Sequence, residues 1–255
     1  MTGKTHETLV ADQFGPRAAA YVESAVHAQG EDLLRLVEIV RGHGGARALD
    51  MGCGGGHVSF HVAPHVAEVV AYDLSDDMLR TVAGEAQRRG LANLRTRQGS
   101  VEFMPFETGE FDFVFSRYSA HHWRDLGGAL KEARRALRPG GSAAFIDVVA
   151  PEDPLLDTYL QTVEMLRDPS HVRDYAPREW ENALGAAGFQ LTKTKAHRIR
   201  LEFATWIARI GTPAVLADAI LALQRLMSKD VTKHFAIEAD GSFWLDVMTL
   251  EAVAA

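Results

Sequence analysis

The segment Ala48-Leu49-Asp50-Met51-Gly52-Cys53-Gly54-Gly55-Gly56 constrains the fold of this chain more than any other. An apolar run from Arg47 to Met51 reads as a strand. The glycines after it let the backbone turn sharply into a helix over His57 to Ala63, which Pro64 breaks. A glycine loop between a strand's carboxyl end and a helix is where open α/β sheets take their ligands. The flanking segments suit such a sheet. Val69 to Asp73, Asn93 to Gln98, Phe111 to Ser116 and Ser142 to Val149 read as further strands. Helical spacing appears in Leu33, Leu34, Val37 and Val40, and again in Met78, Leu79, Val82 and Ala86 behind a Ser75 cap. Asp125 caps another helix, which ends at the turn Arg138-Pro139-Gly140-Gly141. Pro16 suits the first turn of an N-terminal helix through Ala18, Tyr21 and Val22. This alternation predicts a parallel sheet covered on both faces.

The pattern changes after Val149. Leu155 to Arg167 and Arg178 to Ala187 read as helices, separated by the breaker Asp168-Pro169-Ser170. Phe189 to Arg198 reads as a strand. Two helical stretches follow, Phe203 to Ile210 and Pro213 to Met227, and a last strand runs from Phe243 to about Leu250. We expect one domain over residues 1–255, with a ligand-binding core over 30–150. A helical cap over 151–230, with the N-terminal helix, would face a substrate.

Net charge and cysteine content narrow the function. The net charge is −7, which opposes a polyanionic partner. The basic groups Arg134, Arg135, Arg138 and Lys193, Lys195, His197, Arg198, Arg200 read as solvated surface. Cys53 is the single cysteine, so an internal disulfide and a cysteine metal cluster are both excluded. No apolar stretch reaches the roughly 20 residues of a membrane span, and residues 1–10 are polar. The expected location is the cytoplasm.

Two details identify the ligand of the glycine loop. A dinucleotide fingerprint requires a third glycine where this chain has His57, and no phosphate-loop Gly-Lys-Ser/Thr ending is present. Asp50, two residues before Gly52, would repel a pyrophosphate but suits a cationic amino group. S-adenosylmethionine has such an amino group and no phosphate. Asp73, at the end of the second strand, can accept both hydroxyls of a ribose, and Leu74 can lie against an adenine.

With these residues in place the chain resembles the class I S-adenosylmethionine-dependent methyltransferases, in the branch of the ubiquinone/menaquinone-biosynthesis enzymes. The resemblance runs from about Gln13 to Phe189. It implies a Rossmann-like three-layer sandwich, its seven-stranded, mostly parallel sheet ending in an antiparallel strand. It assigns Asp50, Gly52 and Gly54 to the methionine end of the cofactor, and Asp73, Leu74 and Met78 to the adenosine side. Ser100, Val101 and Glu102 fall on the adenine-edge loop, where the family usually has Asp in place of Ser100. Arg117 falls in the segment Ser116 to Trp123, near the methyl group. Phe14 and Tyr21 match an aromatic pair that closes over the methionine moiety, with plain helix packing as the alternative.

Methyl transfer is an in-line displacement for which the cofactor supplies the reactivity. A base is needed only when the acceptor must lose a proton. His121, His122 and His171 are the candidates, with Arg167 and Tyr175 as possible acceptor contacts and Trp180, Trp206 and Phe203 as apolar walls or core. No metal site is expected, since His57 and His61 share helical spacing but lack a third ligand. The expected partner is a small-molecule acceptor, with C- or O-methylation of a quinone-like or aromatic nucleophile weighted by the family; a homodimer stays open. The competing activities are a nicotinamide-dependent oxidoreductase, opposed by His57, and a regulatory module that binds cofactor without turnover.

Overall fold

Seven strands form one sheet in the order β3-β2-β1-β4-β5-β7-β6. The computed structural model describes residues 3–15 and 30–255. Tyr21 and the helix expected after Pro16 lie outside the described residues. The strands are β1 (Arg47–Met51), β2 (Glu68–Asp73), β3 (Leu94–Gln98), β4 (Phe111–Arg117), β5 (Leu137–Val148), β6 (Phe189–Leu201) and β7 (Phe243–Ala254). The first five pair in parallel, and β7 runs antiparallel between β5 and β6.

The central strands bury both faces, as parallel sheets require. In β4, Phe113 and Phe115 join one apolar cluster while Val114 joins another on the opposite face. The first face is covered by α2 (Glu31–Val40) and α3 (His57–Val62), the second by α5 (Leu126–Ala136) and α7 (Pro177–Ala186). α4 (Asp76–Arg88) packs on β2 and β3 through Leu79, Val82 and Ala86. Ser75 caps it by accepting from the Met78 N–H, as its sequence position predicts.

The helices after β5 fall into two blocks. α6 (Pro154–Arg167) precedes β6, and α8 (Phe203–Ile210), α9 (Ala214–Leu226) and α10 (Lys229–His234) follow it. α6 packs against α9 and α10, so the two blocks meet as one cover. α7 instead packs on α5 and β6 as an ordinary crossover. The short α10 falls in a stretch to which the sequence reading assigned no element, and two local readings need correction. The turn Arg138–Gly141 is absorbed into β5 as a register shift opposite Phe111 and Phe113. β7 continues past Leu250 to Ala254, because its end is paired on both sides by β5 and β6. Among the described residues no helix is long and apolar enough to cross a membrane.

At the N-terminus α1 (His6–Phe14) buries none of its residues. Among its contacts, His6 Nε2 lies 3.0 Å from the His122 carbonyl, Gln13 donates to the Ile210 carbonyl, and the Phe14 ring meets His122 edge-on.

Candidate active site

The loops at the carboxyl ends of β1, β2 and β4 enclose a narrow cleft. Asp50, Gly52, Gly54, Asp73, Leu74, Met78, Val101 and Arg117 line it, with Val10 and Phe14 from α1. Gly52 has φ +70°, and a Cβ there would collide with the Ser119 side chain, so the β4 loop leaves room for nothing larger than glycine. Gly54 has φ +47°, and a Cβ there would project into open space, which is the cleft itself. Both backbones adopt the left-handed conformation that glycine takes without strain.

Asp73 is the organising acid of this loop. One carboxylate oxygen accepts the Gly54 N–H at 2.9 Å and the other accepts the Ser75 N–H at 2.9 Å. Each oxygen keeps a second lone pair, enough for the two hydroxyls of a ribose. Burial pushes its carboxyl up, partly offset by those N–H bonds. Asp50 is buried at the end of β1, where one oxygen accepts both the Ser59 N–H and its hydroxyl. Burial raises Asp50 to about 7, against the pull of the Ser59 bonds. A cation brought beside it would favour its charged form. The amino group and the ribose of S-adenosylmethionine therefore both find matching acceptors, and the open space beside Gly54 lets the ligand approach the loop. The cleft encloses about 120 Å³, below the roughly 300–1,000 Å³ usual for a ligand pocket. Val10 and Phe14 bring α1 to its lining.

Ser100 and Glu102 stand outside the cleft lining. The Ser100 carbonyl accepts the Tyr72 hydroxyl at 2.9 Å, and its side chain accepts the Glu102 N–H. Glu102 accepts the Asp125 N–H at 3.0 Å, tying the loop to the start of α5. From this loop only Val101 reaches the cleft.

A second cavity of about 730 Å³ lies between α2, the β6–β7 edge and the cap. Phe14, Arg117, Tyr118 and His122 line both spaces and so form the wall between them. Tyr118 was not singled out in the sequence, yet it is a non-glycine residue at φ +52°, and the Arg117 guanidinium lies 4.6 Å from its ring centre. Backbone of this kind persists where surrounding structure holds it. Ile199, Leu201, Leu245 and Trp206 give the cavity an apolar lining, and Lys193, Lys195 and His197 a basic one. That basic strand face borders the cavity as well as solvent. Ion pairs fix the walls: Arg117 with Asp32 at 2.5 Å and Arg35 with Glu251 at 2.7 Å.

The three histidines separate in role. His121 faces the cavity and places Nδ1 2.7 Å from Asp147 Oδ1. Asp147 also accepts the N–H groups of Ala120, His121 and Val148, which pins it in β5. Burial lowers the affinity of His121 for a proton, but the adjacent Asp147 outweighs it and raises the imidazole to about 9. His122 donates from Nδ1 to the Ser170 carbonyl at 3.1 Å, and burial followed by the charge on His121 takes it down to about 3. His171 lines neither space. It is buried, and its Nε2 donates to Gln161 Oε1 at 2.9 Å. Tyr175 meets Trp180 edge-on, Trp180 and Phe203 are core, and Arg167 and Trp206 reach the cavity. Within α3, His61 Nδ1 bonds the His57 carbonyl at 2.7 Å, which is helix-internal.

Comparison with known proteins agrees with this geometry. Residues 49–145 match the methyltransferase domain model. The chain is 46% identical to the uncharacterized protein YafE of Escherichia coli, over 77% of this chain and 95% of that one. It is 35% identical to the uncharacterized methyltransferase YcgJ of Bacillus subtilis, over 88% of each. The crystal structure of YcgJ superposes with a TM-score of 0.84 at 30% identity, over 88% of this chain and 97% of that one. A malonyl-[acyl-carrier protein] O-methyltransferase of Enterobacter lignolyticus is 32% identical over 82% of this chain and 76% of its own length. A glycine loop shaped for an amino-acid nucleoside, on a seven-stranded sheet with β7 reversed, thus agrees with the relatives: the chain belongs to the class I S-adenosylmethionine-dependent methyltransferases.

Proposed function

We infer that the protein transfers a methyl group from S-adenosylmethionine to carbon or oxygen of a small acceptor held in the 730 Å³ cavity. The observation that carries this reading is the shared wall. Phe14, Arg117, Tyr118 and His122 border both the cleft and the cavity, so a donor in one and an acceptor in the other meet across them. When bound, the cofactor supplies an activated methyl group. The protein's part is alignment, an advantage that can reach several kcal/mol in oriented systems.

The cleft residues divide as their geometry suggests: Asp50 toward the amino group, Asp73 toward the ribose, Leu74, Met78 and Val101 against the base, and Phe14 over the methionine arm. On the acceptor side, the His121–Asp147 pair borders the cavity, and a His121 raised to about 9 is cationic at neutral pH, so it would donate to an acceptor's oxygen. A phenolic, quinol-like or enolic acceptor suits that pair, because a cation beside its oxygen favours the ionised form, in which carbon or oxygen is nucleophilic. The apolar stretch of Ile199, Leu201, Leu245 and Trp206 suits a hydrophobic body. The similar enzyme from Enterobacter lignolyticus is named as an O-methyltransferase, which supports oxygen as an acceptor atom.

The test is incubation with methyl-labelled cofactor and a metabolite extract, followed by mass spectrometry of labelled products. A labelled phenol ether, enol ether or C-methylated ring is expected. Label confined to protein or nucleic acid would refute a small-molecule acceptor.

A further inference from the structure

We propose that the cavity floor holds a divalent, nitrogen- and oxygen-preferring cation, ligated by His121, Asp147 and Asp174. These residues come from three separate stretches: the turn after β4, strand β5, and the loop between α6 and α7. One ligand atom from each lies within 4.8 Å of the others. Small shifts would bring all three to the 2.0–2.2 Å typical of such ions.

Two buried groups beside this floor lack partners, and both are set as ligands usually are. Asp174 is 2% exposed, and its Oδ2 has no hydrogen bond. A buried carboxylate oxygen with no partner is costly unless something else satisfies it. Its main chain is held firmly, since Gln161 Oε1 accepts the Asp174 N–H at 3.1 Å and Gln161 Nε2 donates to the Asp174 carbonyl at 2.8 Å. The same Gln161 oxygen accepts the Nε2–H of His171, which leaves His171 Nδ1 as a buried lone pair with no partner. A histidine whose other nitrogen donates to a fixed carbonyl has the tautomer of a metal ligand. Its ring centre lies 5.9 Å from that of His121, near enough to complete or flank the site. Glu164, buried on α6 with Arg167 3.6 Å away, lines the same cavity.

The 2.7 Å contact between His121 Nδ1 and Asp147 then has a simple meaning. In the metal-free protein a proton joins two ligands. The incoming cation takes its place, and the proton leaves to solvent. The mixed nitrogen and carboxylate set suits Mn²⁺, Fe²⁺ or Zn²⁺. Open coordination positions would face the cavity and accept the oxygen of an acceptor, lowering its proton affinity without a protein base. That last role rests on the cavity being the acceptor site; binding of the ion does not.

Calorimetric titration of the chelator-treated full chain with MnCl₂, with Mn²⁺ electron paramagnetic resonance in parallel, tests the proposal. A single saturable site is expected. Asp174→Asn and His121→Gln should abolish it, and Gln161→Leu, which leaves every ligand in place, should weaken it about tenfold. Exposed Asp230→Asn should bind as wild type. Absence of saturable binding to the wild-type chain up to millimolar Mn²⁺ overturns the proposal even if a variant misfolds. So does binding that none of the three site variants changes. Either outcome would leave labelling of a small acceptor possible, so failure here and failure of the methylation reading can be told apart.

Discussion

The cofactor cleft and the acceptor cavity share a wall but are built by opposite means. The cleft is made of backbone: left-handed glycines at Gly52 and Gly54, N–H groups bound to Asp73, and the ends of adjacent parallel strands. The cavity is made of side chains from distant parts of the chain. Asp32 reaches Arg117, Glu251 reaches Arg35, and Asp147 holds His121. A backbone site needs particular residues at fixed local spacing. A side-chain site needs only that the fold bring suitable groups together, so it can vary while the cleft stays the same. One half of the enzyme therefore speaks for the reaction type and the other for the acceptor.

The sharpest break between the halves should come at Gly54. Valine there would enter the open space of the cleft and force a side chain into left-handed backbone. Cofactor affinity should fall by at least about 100-fold, near 2.7 kcal/mol, with the circular dichroism spectrum retained. Normal binding by a folded Gly54→Val protein would show that the ligand does not use this loop.

Asp73→Ala should weaken cofactor binding by about 1–3 kcal/mol, the usual effect of leaving polar partners unpaired. Part of that loss comes from the protein, because Asp73 also orders the Gly54 and Ser75 N–H groups. Asp73→Asn, which keeps some of these bonds, should lose less. Equal affinity for wild type and Asp73→Ala by calorimetry would remove this residue from the ribose site.

A smaller effect should appear on changing pH. Asp50 titrates near 7 in the fold, above the ordinary carboxyl range. Its raised value means that its ionisation opposes folding progressively as pH rises toward 7, and most of the penalty is present above that. A cation bound beside it favours the ionised form, so cofactor affinity should rise by about tenfold from pH 5.5 to pH 7. Asp50→Asn should flatten that rise. A wild-type affinity that does not change over this range would contradict pairing between Asp50 and the amino group.

These contrasts explain what the sequence could reveal. The Asp50–Gly56 loop, Asp73 and the strand alternation were legible because each depends on neighbours along the chain. β7 could be assigned as antiparallel only through the family resemblance, since the alternation of residues along a strand does not report the direction of its neighbours. Asp147 carried a faint signal, a lone carboxylate inside Phe145-Ile146-Asp147-Val148-Val149. Asp32 and Glu251 carried none, because their partners Arg117 and Arg35 lie 85 and 216 residues away in sequence. Ser100 and Glu102 matched a motif by position, yet their side chains serve the loop and the start of α5. Motif position fixes where the backbone goes more reliably than where a side chain points.

The smallest expected effect is the converse test of the two halves. Ile199 on β6 faces the cavity and is remote from the glycine loop. Ile199→Phe should leave cofactor affinity within about twofold, since sites with no shared partners act nearly independently. Turnover of a labelled acceptor should fall severalfold because the added ring narrows its space. A cofactor affinity that falls as far as turnover would show that the two spaces are not separate.

The most direct test of two adjoining sites is a crystal structure with S-adenosylhomocysteine, the product form of the cofactor. The account predicts the ribose hydroxyls within hydrogen-bond distance of Asp73, the amino group beside Asp50, and the sulfur facing Tyr118 and His122 with the larger cavity beyond. A product molecule lying in the larger cavity, or one whose ribose avoids Asp73, would contradict it.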